Sequence, residues 1–269
     1  MGADIKALRT RIKSVDSTLH LTKAMGLVAS SKIRRANDSM KKGREYAGAL
    51  SDLIGELSQS AECRKSPYMQ VRGDDISRTR IIVIAGDRGL AGGYNANVMR
   101  LAAQYKGARF IPIGKRACDK FGGELNSSER YCAGDAAALA RTLCEEFAAG
   151  EYDRLGIIST EYVSMMTQNA VMNWILPLSR KEGGAASSIL FEPDEISVLN
   201  EVMPEYVAGM LMSAVRESFA SEVAARRMAM DSAGKNATAM LDELALKYNR
   251  ARQGAITQEI TEIVAGAGN

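Results

Sequence analysis

Few residues in this chain are placed to do chemistry. The first candidate is GDRGLAGGYN at 86–95, directly after RIIVIAG at 80–86, a short apolar run ending in glycine. Such a run reads as a buried strand. Glycines between a strand and a helix N-terminus can cradle a phosphate with backbone N–H groups. Here they stand at 86, 89, 92 and 93, which is not GxGxxG spacing, and no Lys-Ser/Thr pair follows as a Walker loop requires. The spacing favours a turn in which glycine permits close packing. Asp87 and Arg88 are placed for a local ion pair and nothing more.

Other chemistry is excluded by what is missing. A single histidine, His20, stands in 269 residues, which removes most catalytic triads. It lies on a helical segment with no ligand neighbours, so a surface role is expected. Cys63, Cys118, Cys132 and Cys144 form no CxxC and have no histidine pair, so no zinc or other metal site is expected. Four reduced thiols are the simplest state. The basic cluster SSKIRRANDSMKKGR at 30–44 has no interleaved aromatics, so a solvated charged face or an acidic protein partner is favoured over nucleic acid. No cofactor is implied. This poverty favours a mechanical or binding role.

The elements that would position these residues are unusual. All five prolines, from Pro67 to Pro204, lie in the middle of the chain. Proline breaks helix interiors, so the two ends are free to form long helices. From Ile5 to Ala61, positions separated by alternating steps of 3 and 4 carry Ile5, Leu8, Ile12, Val15, Leu19, Thr22, Gly26, Ala29, Ile33, Ala36, Met40, Gly43, Ala47, Leu50, Ile54, Leu57 and Ala61. None is charged. A repeat of 3.5 residues held this long is a left-handed coiled-coil seam. At ~1.5 Å per residue the helix would run roughly 85 Å. The seam is small in its middle, which predicts close backbone approach.

The C-terminal segment repeats the pattern in three registers. Val207, Leu211, Ala214, Ser218, Ser221, Ala225 and Met228 form the first. Leu241, Leu244, Tyr248, Ala251 and Ala255 form the second, and Ile256, Ile260, Ile263 and Ala267 the third. Two rods with one apolar stripe each pack most economically as an antiparallel pair. Between them, apolar runs at 80–86, 108–114, 155–160 and 170–178 alternate with helical candidates at 94–105, 115–122, 134–149 and 161–168. That alternation predicts an α/β, Rossmann-like domain with a mostly parallel sheet. Trp174 is expected to pack within it. The expected organisation is a mixed α+β chain: an N-terminal helix over 1–66, an α/β domain over 67–204 and a C-terminal helix over 205–269. Charge is uneven, with residues 1–66 carrying 13 Lys/Arg against 7 Asp/Glu, a net of +6. No apolar stretch is long enough to span a membrane, and MGADIKALRTRIKSV lacks the apolar core of a signal peptide.

Three blocks carry a family resemblance. IKSVDSTLHLTKAMGLVASSKIRRA at 12–36, GDRGLAGGYNANV at 86–98 and ESFASEVAARRMAMDSAGKNATAMLDELALKYNRARQGAITQEITEIVAGA at 217–267 resemble, in order, the N-terminal helix, central motif and C-terminal helix of F-type ATP synthase gamma subunits. The resemblance implies a non-catalytic rotor shaft. Its antiparallel coiled coil would sit inside a ring of three alpha and three beta subunits. Its α/β domain would be the foot, beside the epsilon subunit and the ring of c subunits. Ion flow through that ring would turn the shaft and force the beta sites through their states in turn. The chain would then be peripheral at the cytoplasmic face of a bacterial inner membrane, touching it only through partners.

Residue by residue, the resemblance gives Met25 a place facing a beta subunit. Arg252 and Gln253 would form a hydrogen-bonding catch with a beta loop. Glu222, Arg226, Thr257 and Glu259 occupy further positions tied to coupling, and Phe191 and Glu192 fall where the foot approaches epsilon and the c ring. There are departures from the family pattern. Gly26 stands for a usual Glu, Val223 for a usual His and Gly254 for a usual Ala or Ser. Gly26 and Gly254 together are expected to soften the shaft at one level. No dithiol insertion of the plant type is recognisable, so no thiol switch is expected. Two other readings compete. One is a coiled-coil scaffold carrying a small-ligand-binding α/β domain, which the C-terminal block disfavours. The other is a small-molecule enzyme built on the glycine loop, which the long seam disfavours.

Overall fold

The computed structural model describes residues 2–73, 75–124, 126–179 and 191–267. Helix α1 (Gly2–Leu57) opens the chain and α5 (Glu195–Ala267) closes it. Between them come β1 (Thr79–Ile84), α2 (Tyr94–Ala102), β2 (Arg109–Ile113), α3 (Lys115–Phe121), α4 (Ala133–Ala148), β3 (Arg154–Tyr162) and β4 (Gln168–Leu176). Two compact units result. One holds α1 up to Ser30 with α5 from Arg227, and the other runs from Ser31 to Arg226.

The heptad arithmetic holds along α1. Each seam position from Ile5 to Leu57 is buried or half-buried, and most of the positions between them are exposed. Ala61 falls outside the helix, which ends at Leu57 rather than near 66. The buried Ser58 hydroxyl donates to the Gly55 carbonyl at 2.8 Å. Such side-chain bonding competes with helix continuation, and the chain goes on in short 3-10 turns at Cys63–Lys65 and Pro67–Met69.

Helix α5 starts at Glu195, ahead of the 205 start that the prolines suggest, and Pro204 lies inside it. Asp194 sets this start, its carboxylate accepting the Ser197 N–H at 2.9 Å and the Ser197 hydroxyl at 2.6 Å. The proline is tolerated because the turns around it are held by burial. Leu199, Met203, Val207 and Leu211 are all fully buried, and packing of that extent overrides propensity.

In the terminal unit the helices run antiparallel. A Cβ on Gly26 would meet the Met230 Cβ at 3.7 Å, and one on Gly234 would meet Thr22 Oγ1 at 3.7 Å and Leu19 Cδ1 at 3.9 Å. The second C-terminal register is inward and extends back in steps of 3 and 4 through Ala237 and Gly234 to Met230. Gly254 has open space around it and lies well along α5 from the turns that face Gly26. The two glycines therefore do not share a level, and the expected soft spot does not exist as a paired feature.

The larger unit is built on a four-stranded sheet in the order β2-β1-β3-β4. β1 pairs in parallel with β2 and β3, and β3 pairs antiparallel with β4. β1 is buried throughout, and its residues divide by the period of two. Ile81 and Val83 pack with Val98 and Ala102 of α2 and Ala117 of α3. Ile82 and Ile84 pack with Leu143 and Phe147 of α4, Leu211 of α5 and the end of α1 at Ile54 and Leu57. The long helices thus contribute one layer over the sheet.

The helix expected at 161–168 is absent. β3 continues to Tyr162 and a tight turn leads into β4, with the Ser164 hydroxyl accepting the N–H groups of Met166 at 3.2 Å and Thr167 at 3.1 Å. Tyr162 and Val163 favour extended backbone. Trp174 sits on edge strand β4 and is 39% exposed. It packs under the Arg154 guanidinium, 3.9 Å from its ring centroid.

Candidate functional site

The glycine loop is closed by its own side chains. The Asn95 Oδ1 atom accepts the Gly86 N–H at 2.9 Å, and its Nδ2 donates to the Arg88 carbonyl at 3.1 Å. Asp87 does not pair with Arg88. Its carboxylate accepts the Ser127 hydroxyl at 2.5 Å and the N–H groups of Ser128 at 3.0 Å, Lys115 at 3.1 Å and Glu129 at 3.3 Å. Arg88 lies 3.9 Å from Glu129 instead. Burial alone would raise the Asp87 carboxyl, but these four donors outweigh it and hold the group below its ordinary value. The Gly86 N–H is thus taken by a side chain of the loop itself, and the Asp87 carboxylate faces donors from residues 115 and 127–129.

Against this loop lies the segment of α5 from Glu217 to Arg226. Glu222 is 4% exposed, and its carboxylate fills the space beside Gly86. A Cβ on Gly86 would stand 2.7 Å from Glu222 Cδ and 2.8 and 2.9 Å from its two oxygens. Arg226 donates to Glu222 Oε1 and, at 3.3 Å, to the Gly89 carbonyl. Burial raises the Glu222 carboxyl above its ordinary value, with Asp87 and Glu129 adding to the rise and Arg226 opposing it. Burial also raises the phenol of neighbouring Tyr94. Leu90 takes a positive φ of 61° in the loop, a conformation that costs a side-chain residue energy and persists where its surroundings impose it.

The same stretch of α5 holds the end of β3. Ser218 Oγ accepts the Thr160 N–H at 3.0 Å, and Ser221 Oγ donates to the Thr160 carbonyl at 3.2 Å. Glu217 accepts the Tyr162 N–H at 2.9 Å and pairs with Arg44 of α1 at 2.6 Å. Lys32 pairs with Glu129. Two cations of the basic cluster are thus committed within the unit, whereas Arg34, Arg35, Lys41 and Lys42 are exposed.

The remaining candidates are not among the residues of this junction. Met25 is half-buried on the coiled coil, and Arg252, Gln253, Thr257 and Glu259 are exposed on α5. Thr257 donates to the Gln253 carbonyl of its own helix at 3.0 Å. Phe191 packs against the core of the larger unit, and Glu192 is exposed. His20 is exposed, 3.8 Å from Asp16. Cys63, Cys118 and Cys144 are buried, Cys132 is exposed, and all four are free thiols. Small seam residues leave a groove of about 450 Å³ lined by Leu19, Thr22, Gly26, Met230 and Gly234 among others. Among the described residues no cluster of His, Cys, Asp and Glu is arranged to hold a metal.

Residue spacing missed the Asp87 cap, the Gly86–Glu222 contact and the role of Glu217. One signal was available: Ser218 and Ser221 put hydroxyls where an apolar seam wants none.

The comparisons with known proteins agree. A family model described as ATP synthase matches residues 4–268. The ATP synthase gamma chain of Geobacter sp. (strain M21) is 35% identical over 285 residues, covering 98% of this chain and 98% of that protein. A chain in the Euglena gracilis mitochondrial ATP synthase structure with OSCP, F1 and c-ring has a TM-score of 0.68 at 18% identity, covering 98% of this chain and 94% of that one. A chain in the Tetrahymena thermophila mitochondrial ATP synthase structure of central stalk and c-ring has a TM-score of 0.62 at 21% identity, covering 79% of this chain and 99% of that one. With a family model spanning nearly its whole length and a gamma chain matching it end to end, this chain belongs to the ATP synthase gamma-chain family, whose members are non-catalytic subunits of that enzyme.

Proposed function

We propose that this chain is the central shaft of an F-type ATP synthase, turned by ion flow and driving ATP synthesis at beta subunits. The observation that carries this reading is the outer surface of the terminal coiled coil. Leu27 is 72% exposed, Ile256 48%, Ile260 56%, Ile263 70% and Val264 67%. Aliphatic surface of this extent marks an interaction face. A sleeve of three alpha and three beta subunits covers it in this reading. The third C-terminal register, which finds no cover inside the chain, becomes the bearing surface.

The drifting stripe makes the shaft unequal on its sides, so three catalytic sites around it cannot be equivalent. Each orientation favours one conformation of each site, which is the free-energy condition for coupling rotation to chemistry. Met25 faces a beta subunit in this arrangement. Arg252 offers a planar fork matched to carboxylates, and with Gln253 it forms the catch on a beta loop. Thr257 and Glu259 flank it. Glu222 and Arg226 face inward, so they serve coupling from inside the larger unit. The α/β unit is the foot, meeting epsilon and the c ring through the region of Phe191 and Glu192. No described helix is long and apolar enough to cross a membrane. In this reading the chain is held through its partners at the cytoplasmic face of a bacterial inner membrane.

Co-expression with alpha and beta partners tests the reading. A stable complex with nucleotide-dependent turnover is expected. Failure to co-purify would remove the shaft assignment, and tight nucleotide binding by the isolated chain would favour a ligand-binding α/β domain instead.

A further inference from the structure

We infer that the glycine loop is the joint that fixes α5 to the foot against rotation about its own axis. The Glu222 carboxylate is seated against Gly86, and Arg226 of the same helix bonds both that carboxylate and the Gly89 carbonyl of the loop. The inference deepens the shaft reading and rests on it.

The larger unit buries much of α5 through apolar contacts, but such contacts are non-directional. Close packing resists movement of the helix, but it makes no directional bond to any one group of the foot. Hydrogen bonds and ion pairs have narrow geometry, and here they are concentrated on one short stretch. Ser218 and Ser221 hold both backbone groups of Thr160. Glu217 holds the Tyr162 N–H. One turn further, Glu222 fills the space where Gly86 would carry a Cβ, and Arg226 ties that carboxylate to the Gly89 carbonyl. Two separate segments of the α/β unit therefore grip one helix, at successive turns.

At 86 it is this contact and not the backbone that opposes a side chain: a Cβ there would have to displace the Glu222 carboxylate, whereas the positive φ values belong to Leu90, Gly92 and glycines elsewhere. That separates Gly86 from the glycines that merely permit a turn. Asp87 holds the far side of the loop to residues 127–129 and to the first N–H of α3. Load placed on Glu222 is thereby passed to the rest of the unit.

The test uses the enzyme assembled in vesicles with its membrane ring, and reads ions taken up per ATP hydrolysed. Gly86→Ala pushes a methyl into the carboxylate, and Glu222→Ala removes the carboxylate. Each is expected to lose much of the uptake per ATP. The double variant is expected to lose no more than Glu222→Ala alone, because the added methyl occupies vacated space. Amide hydrogen exchange of the full-length chain supplies a second readout, with faster exchange expected at 218–226 and none of that acceleration in α4. Full uptake per ATP in both single variants would overturn the joint, as would additive losses in the double variant. A variant that does not assemble is judged on exchange alone, and unchanged exchange at 218–226 counts against the joint. If the unmodified chain fails to couple at all, the shaft reading fails first, and that outcome is distinct from these.

Discussion

Helix α5 lives in two settings. Between Leu199 and Arg226 it is enclosed, with Leu199, Met203, Val207, Leu211, Val215, Ala220 and Val223 buried along with Ser218, Ser221 and Glu222. From Arg227 onward, only Met230, Ala237 and Leu244 are buried among the described residues, while Ile256, Ile260 and Ile263 are exposed. One continuous helix thus has a stretch whose partners are all internal and a stretch that lacks cover. The first is stabilised as a protein core is. The second has a single seam and outward aliphatic residues, so it needs a surface supplied from outside. A shaft has to be fixed at one end and free to turn within a bearing at the other.

The sharpest break between the two regions is expected from Gly114→Ala. That glycine has φ +94°, and a Cβ there would collide with the Ala85 carbonyl oxygen. Backbone strain and overpacking together should cost about 3–5 kcal/mol in the larger unit. Denaturant unfolding followed by probes in each unit would show the loss there, with the terminal coiled coil little changed. Next come two cavities. Leu143→Ala, at a side chain 1% exposed, should cost about 2–5 kcal/mol. Leu244→Ala in the coiled coil, at 7% exposed, should cost roughly 2 kcal/mol or less, because fewer atoms close around it. Equal losses would contradict the contrast.

A smaller effect should appear in the pH dependence of the larger unit's stability. The Glu222 carboxyl is raised above its ordinary value of 4.5 by burial. The folded state therefore binds its proton more tightly than the unfolded chain, and stability falls as pH rises from that value through the raised one. Glu222→Gln should flatten this fall. Asp87 behaves in the opposite sense, since its donors outweigh burial and lower it below 3.8. Its contribution is present above 3.8 and is lost as pH falls through the lower folded value, and Asp87→Asn should remove that acid limb. Measuring the unfolding midpoint against pH for both variants checks the two signs together.

The smallest effect on the isolated chain is expected from Ile260→Ser, at a residue 56% exposed. Stability should change by less than about 0.5 kcal/mol, while retention of alpha and beta subunits on the chain should fall. Loss of chain stability without loss of retention would mean that this face is internal after all.

The two regions also differed in how far they could be read from sequence. The seam from Ile5 to Leu57 was legible because a repeat of 3.5 residues is a local property that burial must follow. Helix ends were less so. Pro204 marks a border by local rules, yet it sits inside α5 because Leu199, Met203 and Val207 are packed on every side. The hairpin between β3 and β4 carries no glycine or proline, and Ser164 makes its turn. The joint was least legible of all. Gly86 and Glu222 are far apart in sequence and share no period, so nothing local predicts that a carboxylate lies against that glycine. The family resemblance singled out Glu222 and Arg226, but only the packing shows that they face the loop.

Rotation tests the central claim most directly. Cys132 is exposed and the other three thiols are buried, so a probe can be attached to the α/β unit at Cys132 without engineering. With alpha and beta subunits fixed to a surface and ATP added, the probe should turn in one direction in discrete steps. A complex that hydrolyses ATP while the probe stays still would contradict the account.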